Sequence, residues 1–204
     1  MLFKAPSKGD DGIYYARATT DDRKKVFLQL NKLTVRASSE SQVTFKLTHA
    51  ARKKIVALDE DNLQQALENA ESWFGREMTK DALTAAYFFT VGQVSGELTA
   101  DRIAPTKVFS SEAEIVDFSA IKKGSKVNAI VEFVGLYFAK TSFGPIFNVV
   151  QVKIHADPVP EYPSEFAFAA SDDDDEDEEE IIPTQEEPTG EKSEEETTEP
   201  ENKM

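Results

Sequence analysis

Apolar and polar residues alternate most cleanly from Lys126 to Phe138, where Val127, Ala129, Val131 and Phe133 share one face. A period of two is the signature of a strand with one buried face. A second strong strand follows from Ile146 to Ile154, with Ile146, Val150, Val152 and Ile154 assigned to one face. Residues 139–145 form the hairpin loop between them. Near the N-terminus, residues 1–12 read as a loose arm, and Ile13 to Arg17 begins a strand. Lys25 to Arg36 reads as a strand whose apolar register moves from Val26, Leu28 and Leu30 to Leu33 and Val35. That shift predicts a bulge near Asn31-Lys32. Ser38-Ser39-Glu40 supplies a turn, and Val43, Phe45 and Leu47 alternate in the partner strand.

Between these β regions the period changes. Leu63, Ala66, Leu67, Ala70, Trp73 and Phe74 recur at helical spacing within Asp59–Met78. Asp59-Glu60-Asp61 reads as the N-cap, and Gly75 marks the end. A shorter helix follows from Thr79 to Ala86, and Tyr87–Val91 reads as buried or strand-like. Leu98 to Phe109 is ambiguous, because Pro105 confines pairing to a sheet edge. Lys122 to Ser125 is a turn.

Strands, then a helical insertion, then strands indicate a mainly β, α+β domain. Five good strands suit a small barrel of the oligonucleotide-binding (OB) type, whose last two strands would be joined by the 139–145 loop. The expected organisation is a 1–165 OB domain with a helical insert at about 59–90, followed by a 166–204 tail.

Charge changes this picture. Residues 171–204 hold 17 Asp/Glu and two Lys, which is the whole of the chain's net −15. The tail carries two isoleucines and no aromatic residue, too little apolar surface to offset the entropy of ordering, so it reads as disordered. Residues 1–58 carry 12 Lys/Arg against 5 Asp/Glu, and residues 59–118 carry 4 against 12. The β portion outside the helical insert is therefore basic, and a whole-chain pI of 4.6 does not exclude a polyanion ligand.

Several aromatics lie out of phase with the apolar faces, beside cations. The candidate phosphate contacts are Lys25, Lys32, Arg36, Lys46, Lys140 and Lys153, and the candidate stacking rings are Phe27, Tyr137, Phe138, Phe143 and Phe147. Single strands are bound by such combinations, cations tracking phosphates while ring faces stack bases. Taken one at a time, such rings more often belong to a core or pack under helices, and such lysines are often simply solvated. The tail acids Asp172, Asp173, Asp174, Asp175, Glu176, Asp177, Glu178, Glu179 and Glu180 are candidate partner contacts.

Other classes find little support. The absence of cysteine excludes disulfides and thiolate chemistry. His49 and His155 are the only histidines, each placed at a strand end, and no phosphate-binding Gly-rich loop is present. No catalytic residue, metal site or cofactor is assigned. The N-terminus lacks a signal-type apolar stretch, and no segment reaches the roughly 18 apolar residues of a membrane span, so an intracellular soluble protein is expected.

Residues from Thr106 to Ile154, with the run Lys123-Gly124-Ser125-Lys126-Val127-Asn128-Ala129-Ile130-Val131-Glu132-Phe133 and the hairpin after it, resemble the bacteriophage T7-type single-stranded DNA-binding proteins, with relatives in large DNA viruses. The placement of the acidic tail is similar too. The resemblance implies an OB barrel, non-specific single-strand binding, a role in replication, recombination and repair, and homodimers. It also implies a tail that shields the binding cleft and docks replication proteins such as polymerase or helicase-primase. The phage members end in an aromatic residue, whereas this chain ends Asn202-Lys203-Met204 and has Phe166 and Phe168 before its acid run. An acidic-tailed chaperone for histones or other basic proteins is the alternative, and an interaction module using Phe27 and Phe147 is a third.

Overall fold

The alternation at residues 126–138 produces a strand that the rest of the sheet is built around. In the computed structural model, which describes residues 1–91 and 96–156, nine strands form: β1 (Leu2–Phe3), β2 (Ser7–Lys8), β3 (Tyr14–Thr19), β4 (Val26–Ser38), β5 (Gln42–Lys46), β6 (Glu97–Phe109), β7 (Ile115–Val116), β8 (Lys126–Phe138) and β9 (Phe143–Ile154). Three helices lie between β5 and β6: α1 (His49–Glu68), α2 (Ala70–Phe74) and α3 (Lys80–Ala86). β4 pairs with β5, β5 with β6, β6 with β9, β9 with β8, and β8 again with β4, so five strands close a ring. The β6–β9 pair is parallel and the other four are antiparallel. The 166–204 segment, with its acid run, lies outside the described residues.

The ring buries what the alternation assigned to it in β4, β5 and β8. Leu30, Leu33, Val35, Val43, Phe45, Val127, Ala129, Val131 and Phe133 are all buried. The β4 register shifts between Leu30 and Leu33, with Lys32 at φ +56°, which is the bulge expected at Asn31-Lys32.

Three elements differ from the sequence reading, each for an identifiable physical reason. The helical insert begins ten residues earlier than Asp59. Thr48 is the N-cap, its hydroxyl accepting from the Ala51 N–H, and Ala51, Ile55 and Leu58 extend the buried stripe backwards. Asp59 is therefore not a cap. It lies mid-helix and buried, accepting from the Tyr87 hydroxyl at 2.7 Å, the Thr90 hydroxyl at 3.1 Å and the Thr90 N–H at 3.2 Å. α1 breaks at Asn69, and α2 ends at Gly75 in the left-handed region, φ +68°.

Secondly, β6 is not an edge. It pairs with β5 on one side and with β9 on the other. Its ladder to β9 is interrupted between Arg102 and Lys107, so the N–H that Pro105 lacks is not needed there. The Thr106 hydroxyl closes the interruption, donating to the Val149 carbonyl at 2.6 Å and accepting from the Ile103 N–H.

Thirdly, the β9 faces are exchanged over its first half. Ile130 opposes Gln151 and Val131 opposes Val149, leaving Val150 as an extra residue. Phe147 and Val149 consequently join Val152 in the core, while Ile146 and Val150 do not.

A second irregularity falls on β8, between Phe133 and Gly135. Gly135 has φ +140°, and a Cβ there would sit 2.0 Å from the Ala16 carbonyl oxygen of β3. Only glycine lets β3 pair so closely. Gly135→Ala should cost about 3 kcal/mol or more through strain and overpacking, read as a lower urea midpoint.

Burial raises the Asp59 pKa, against the lowering effect of its Tyr87 and Thr90 hydrogen bonds. A carboxyl whose folded pKa is raised contributes stability that is present below its unfolded pKa and is lost as pH rises through the folded one. Asp59→Asn removes that dependence, so the stability gap between wild type and variant should change across the acid window above pH 3.8 and be constant below it. Urea midpoints against pH for both proteins check this.

Candidate nucleic-acid interface

The pairing registers put four strands on the outside of the ring in three columns, β9, β8, and β4 followed by β3 along the other edge of β8. In β9 the outward positions are Gly144, Ile146, Asn148, Gln151 and Lys153, and in β8 they are Tyr137, Glu132, Ile130, Asn128 and Lys126. Tyr15 and Arg17 of β3 stand beside Tyr137 and Gly135, and Phe27 and Gln29 of β4 stand beside Glu132 and Ile130. Lys25, two residues before Phe27, reaches Glu132 at 2.9 Å. Directly opposed residues project to the same side of a sheet, so these columns form one continuous surface.

That surface carries Arg17, Lys25, Lys126 and Lys153; the acids against it are Glu132, buried beneath Lys25, Asp11, which accepts from the Tyr15 hydroxyl, and Glu112, whose charge acts on Lys153. Phe27 is 53% exposed, a large value for a ring. Tyr15 and Tyr137 are half-buried. The Tyr137 end is bordered by Phe88, since a Cβ on Gly144 would lie 2.9 Å from the Phe88 Cβ and 3.2 Å from the Tyr137 ring. The opposite end is bordered by α1, whose Lys54 donates to the Gln29 carbonyl at 3.0 Å. Lys126 donates to the Thr34 hydroxyl at 2.8 Å, a contact that positions its ammonium without neutralising it. Asn128, Asn148, Gln29 and Gln151 fill the spaces between the cations with amides.

Of the residues expected to bind, Lys25, Phe27, Tyr137 and Lys153 come together on this face. Lys32 projects from the β4 bulge at its margin, where its N–H donates to the Asn128 side chain at 2.8 Å. Lys46 of β5 stands beside Thr34, itself beside Lys126, and so continues the face at its margin, whereas Arg36 lies over β5 and β6. Arg36 is committed there to Glu97 at 3.0 Å, and neighbouring polar groups satisfy one another, Gln42 with Asp101 at 2.7 Å and Thr44 with Thr99 at 2.9 Å. Phe138, Lys140 and Phe143 face the other side of the hairpin.

Phe147 is corrected outright. It is 4% exposed and packs on Phe133 with ring centroids 5.6 Å apart, because the extra residue at Val150 turns it inward. Phe143 is buried as well, stacked on Phe138 at 5.7 Å and edge-on to Phe74 and Tyr87. Tyr15, Arg17 and Lys126 complete the face without having been singled out. A signal for the first two was present, since Tyr15 and Arg17 alternate with Ala16 and Ala18, both buried.

His49 opens α1 and is exposed, whereas His155 follows β9. Among the described residues no group of three His, Asp or Glu side chains is placed to hold a metal, and no helix is long and apolar enough to cross a membrane.

Residues 31–170 match the family described as Family of unknown function (DUF5871). The chain belongs to this family. The match takes in β5, β6, β8 and β9 entire and β4 from Asn31, thus most of the ring, and begins after β3. No curated protein matches the sequence. Among solved structures the chain is similar to the single-stranded DNA-binding protein of bacteriophage Enc34 in complex with single-stranded DNA, at 12% identity and TM-score 0.45, over 78% of this chain and 98% of that one. The C-terminally truncated Enc34 protein gives 12% identity and TM-score 0.47, over 77% and 95%. A further structure of the single-stranded DNA-binding protein from bacteriophage Enc34 gives 11% identity and TM-score 0.45, over 81% and 96%.

The two phenylalanines separate core from face. Phe147→Ala should destabilise the fold by about 3–5 kcal/mol, as large core truncations do. Phe27→Ala should change stability by no more than about 0.5 kcal/mol, as exposed substitutions do. Chemical denaturation of both variants measures the difference.

Proposed function

We propose that the outer face of β3, β4, β8 and β9 binds single-stranded DNA without sequence preference. The observation that carries the reading is the register that puts Arg17, Lys25, Lys126 and Lys153 in three adjacent columns with Phe27, Tyr15 and Tyr137. The cations are spaced along a path, as a phosphate backbone requires, and the rings offer faces on which any base stacks. The amides donate and accept equally, so they favour no particular base edge.

The ring order, with its one parallel pair closing the cycle, supports an OB-type barrel, β5 and β6 being its second and third strands. Barrels of this type commonly bind on that second and third strand face. Here that face is tied up by its own hydrogen bonds and by the Arg36–Glu97 pair, which favours the β8-centred face instead. The reading extends to a role in DNA replication, recombination and repair. In it the acidic tail competes for the binding face and docks replication proteins, and the chain acts inside the cell as a monomer or homodimer.

Binding of oligo(dT) by the full chain and by a chain ending at Ala170 tests the reading. The shorter chain should bind more tightly, because a tethered polyanion is gone. Affinity should fall with salt, and the triple variant Arg17→Ala, Lys126→Ala, Lys153→Ala should flatten the log–log salt slope by about 2, at about 0.7 per phosphate contact on single strands. Lys25 is left in place because removing it would strand the buried Glu132 charge. A chain ending at Ala170 that binds no oligo(dT) at low salt overturns the proposal.

A further inference from the structure

On the opposite side of the β8–β9 hairpin from the proposed face lies a groove of about 890 Å³. Its walls include Tyr14, Trp73 and Phe138, and Arg76 and Lys140 stand among its lining residues. We infer that this groove is a base-capture site, taking one or two unstacked bases of a strand that has passed around the hairpin tip. The inference rests on the face proposed above, since it is that strand which delivers the bases.

The groove is built where three elements meet. Trp73 is held edge-on to Phe138 at 5.7 Å and to Phe3 at 5.4 Å, so the α2 rings are fixed rather than loose. Tyr14 forms the facing wall and is 48% exposed, although its cross-strand neighbour Phe138 is available to cover it. An exposed tyrosine beside fixed rings leaves a slot with aromatic sides, which suits a flat heterocycle. Its volume lies within the range of small-molecule pockets, about 300–1,000 Å³.

Charge selects the class of ligand. Arg76 and Lys140 are exposed and neither forms an ion pair among the described residues. The one acid in the lining, Asp11, accepts from the Tyr15 hydroxyl and from the Ile13 N–H at 3.0 Å, and those hydrogen bonds hold its pKa low and the group ionised, so the lining sets two cations against one anion. A planar apolar slot with two uncommitted cations fits a base carrying its phosphate better than it fits an uncharged aromatic or an acidic peptide without rings.

The hairpin tip makes the route short. Ala139 to Ser142 is closed by the Ala139 N–H donating to the Ser142 carbonyl at 2.8 Å, and Lys140 sits on it. Tyr137 on the outer face and Phe138 in the groove are adjacent in the chain and project to opposite sides. A strand stacked at Tyr137 therefore reaches the groove by crossing a four-residue turn.

Trp73 is the chain's one tryptophan, so its emission reports on the groove directly. The full chain and a chain ending at Ala170 are titrated with oligo(dT), following both fluorescence anisotropy of a labelled oligonucleotide and Trp73 emission. Saturable quenching of Trp73 that tracks binding is expected. Tyr14→Ala, at an exposed position, should abolish most of that quenching and weaken binding about tenfold or more, the factor represented by one lost base stack. Arg17→Ala with Lys153→Ala should weaken binding while leaving the quenching at saturation unchanged. Oligonucleotide binding with no change in Trp73 emission overturns the groove assignment and leaves the outer face standing. Absence of binding in both chains overturns both. Circular dichroism of Tyr14→Ala keeps the test valid, and should it unfold, Lys140→Ala replaces it with the same expected direction.

Discussion

β8 is hydrogen-bonded to β9 along its whole length, to β4 along its first half and to β3 along its second. Any irregularity in those ladders changes which side chains meet the core. Besides the β4 bulge at Lys32, the β8–β9 ladder has two, on opposite strands of the hairpin, at Val150 and next to Gly135. The first returns Phe147 and Val149 to the core ahead of Val152. The second lets β8 leave β4 and accept β3 across a contact that admits no Cβ. Without the extra residue in β8, Tyr137 would not share a surface with Glu132 and Lys126, and without the one in β9, Asn148 would not share one with Gln151 and Lys153, because a one-residue slip reverses every side chain beyond it.

The same registers sort the charge. The acids concentrated in residues 59–118 do not oppose the basic strands uniformly. Asp59 is buried in a hydroxyl-donor cluster, and Glu97 and Asp101 are spent on Arg36 and Gln42 over β5 and β6. The β8-centred face meets Glu132, already covered by Lys25, with Asp11 at the Tyr15 hydroxyl and Glu112 near Lys153 on its margins. Exposed charges more than about 8–10 Å apart are largely screened at physiological salt, so the local surplus governs what approaches this face and the average over the chain does not.

Much of this was legible from side-chain period alone. The strands at 26–38, 42–46 and 126–138, the bulge at Lys32, the turn at Gly75 and the short helix after Thr79 all follow from local patterns whose cause is also local. What escaped was non-local. Asp59 looks like a cap until Tyr87 and Thr90, 28 and 31 residues away, are seen to donate to it. Phe147 looks exposed because a parity count cannot register a bulge set by the partner strand. Pro105 looks like an edge residue because the interruption that accommodates it belongs to the β6–β9 pair. The face shows the same division: Lys25, Phe27, Tyr137 and Lys153 were readable from phase, but Arg36, chosen on the same grounds, is turned to Glu97.

The dimensions of the face bear on the kind of strand it suits. Three adjacent strands span about 10 Å, at about 4.8 Å between neighbours, and the run from Tyr137 to Lys126 extends about 35–40 Å at about 3.3 Å per residue. A strip of that shape can follow one backbone along its length but offers little beyond its margins, where α1 borders one side and the self-paired β5–β6 surface lies further round the ring. Rings fall near the Tyr137 end and the middle, and cations run from Arg17 near the Tyr137 end through Lys25 in the middle to Lys126 and Lys153 at the other end. A ligand matched to this strip presents ring faces and phosphates alternately along one line, which a single strand does and a duplex, with its bases turned inward, does not.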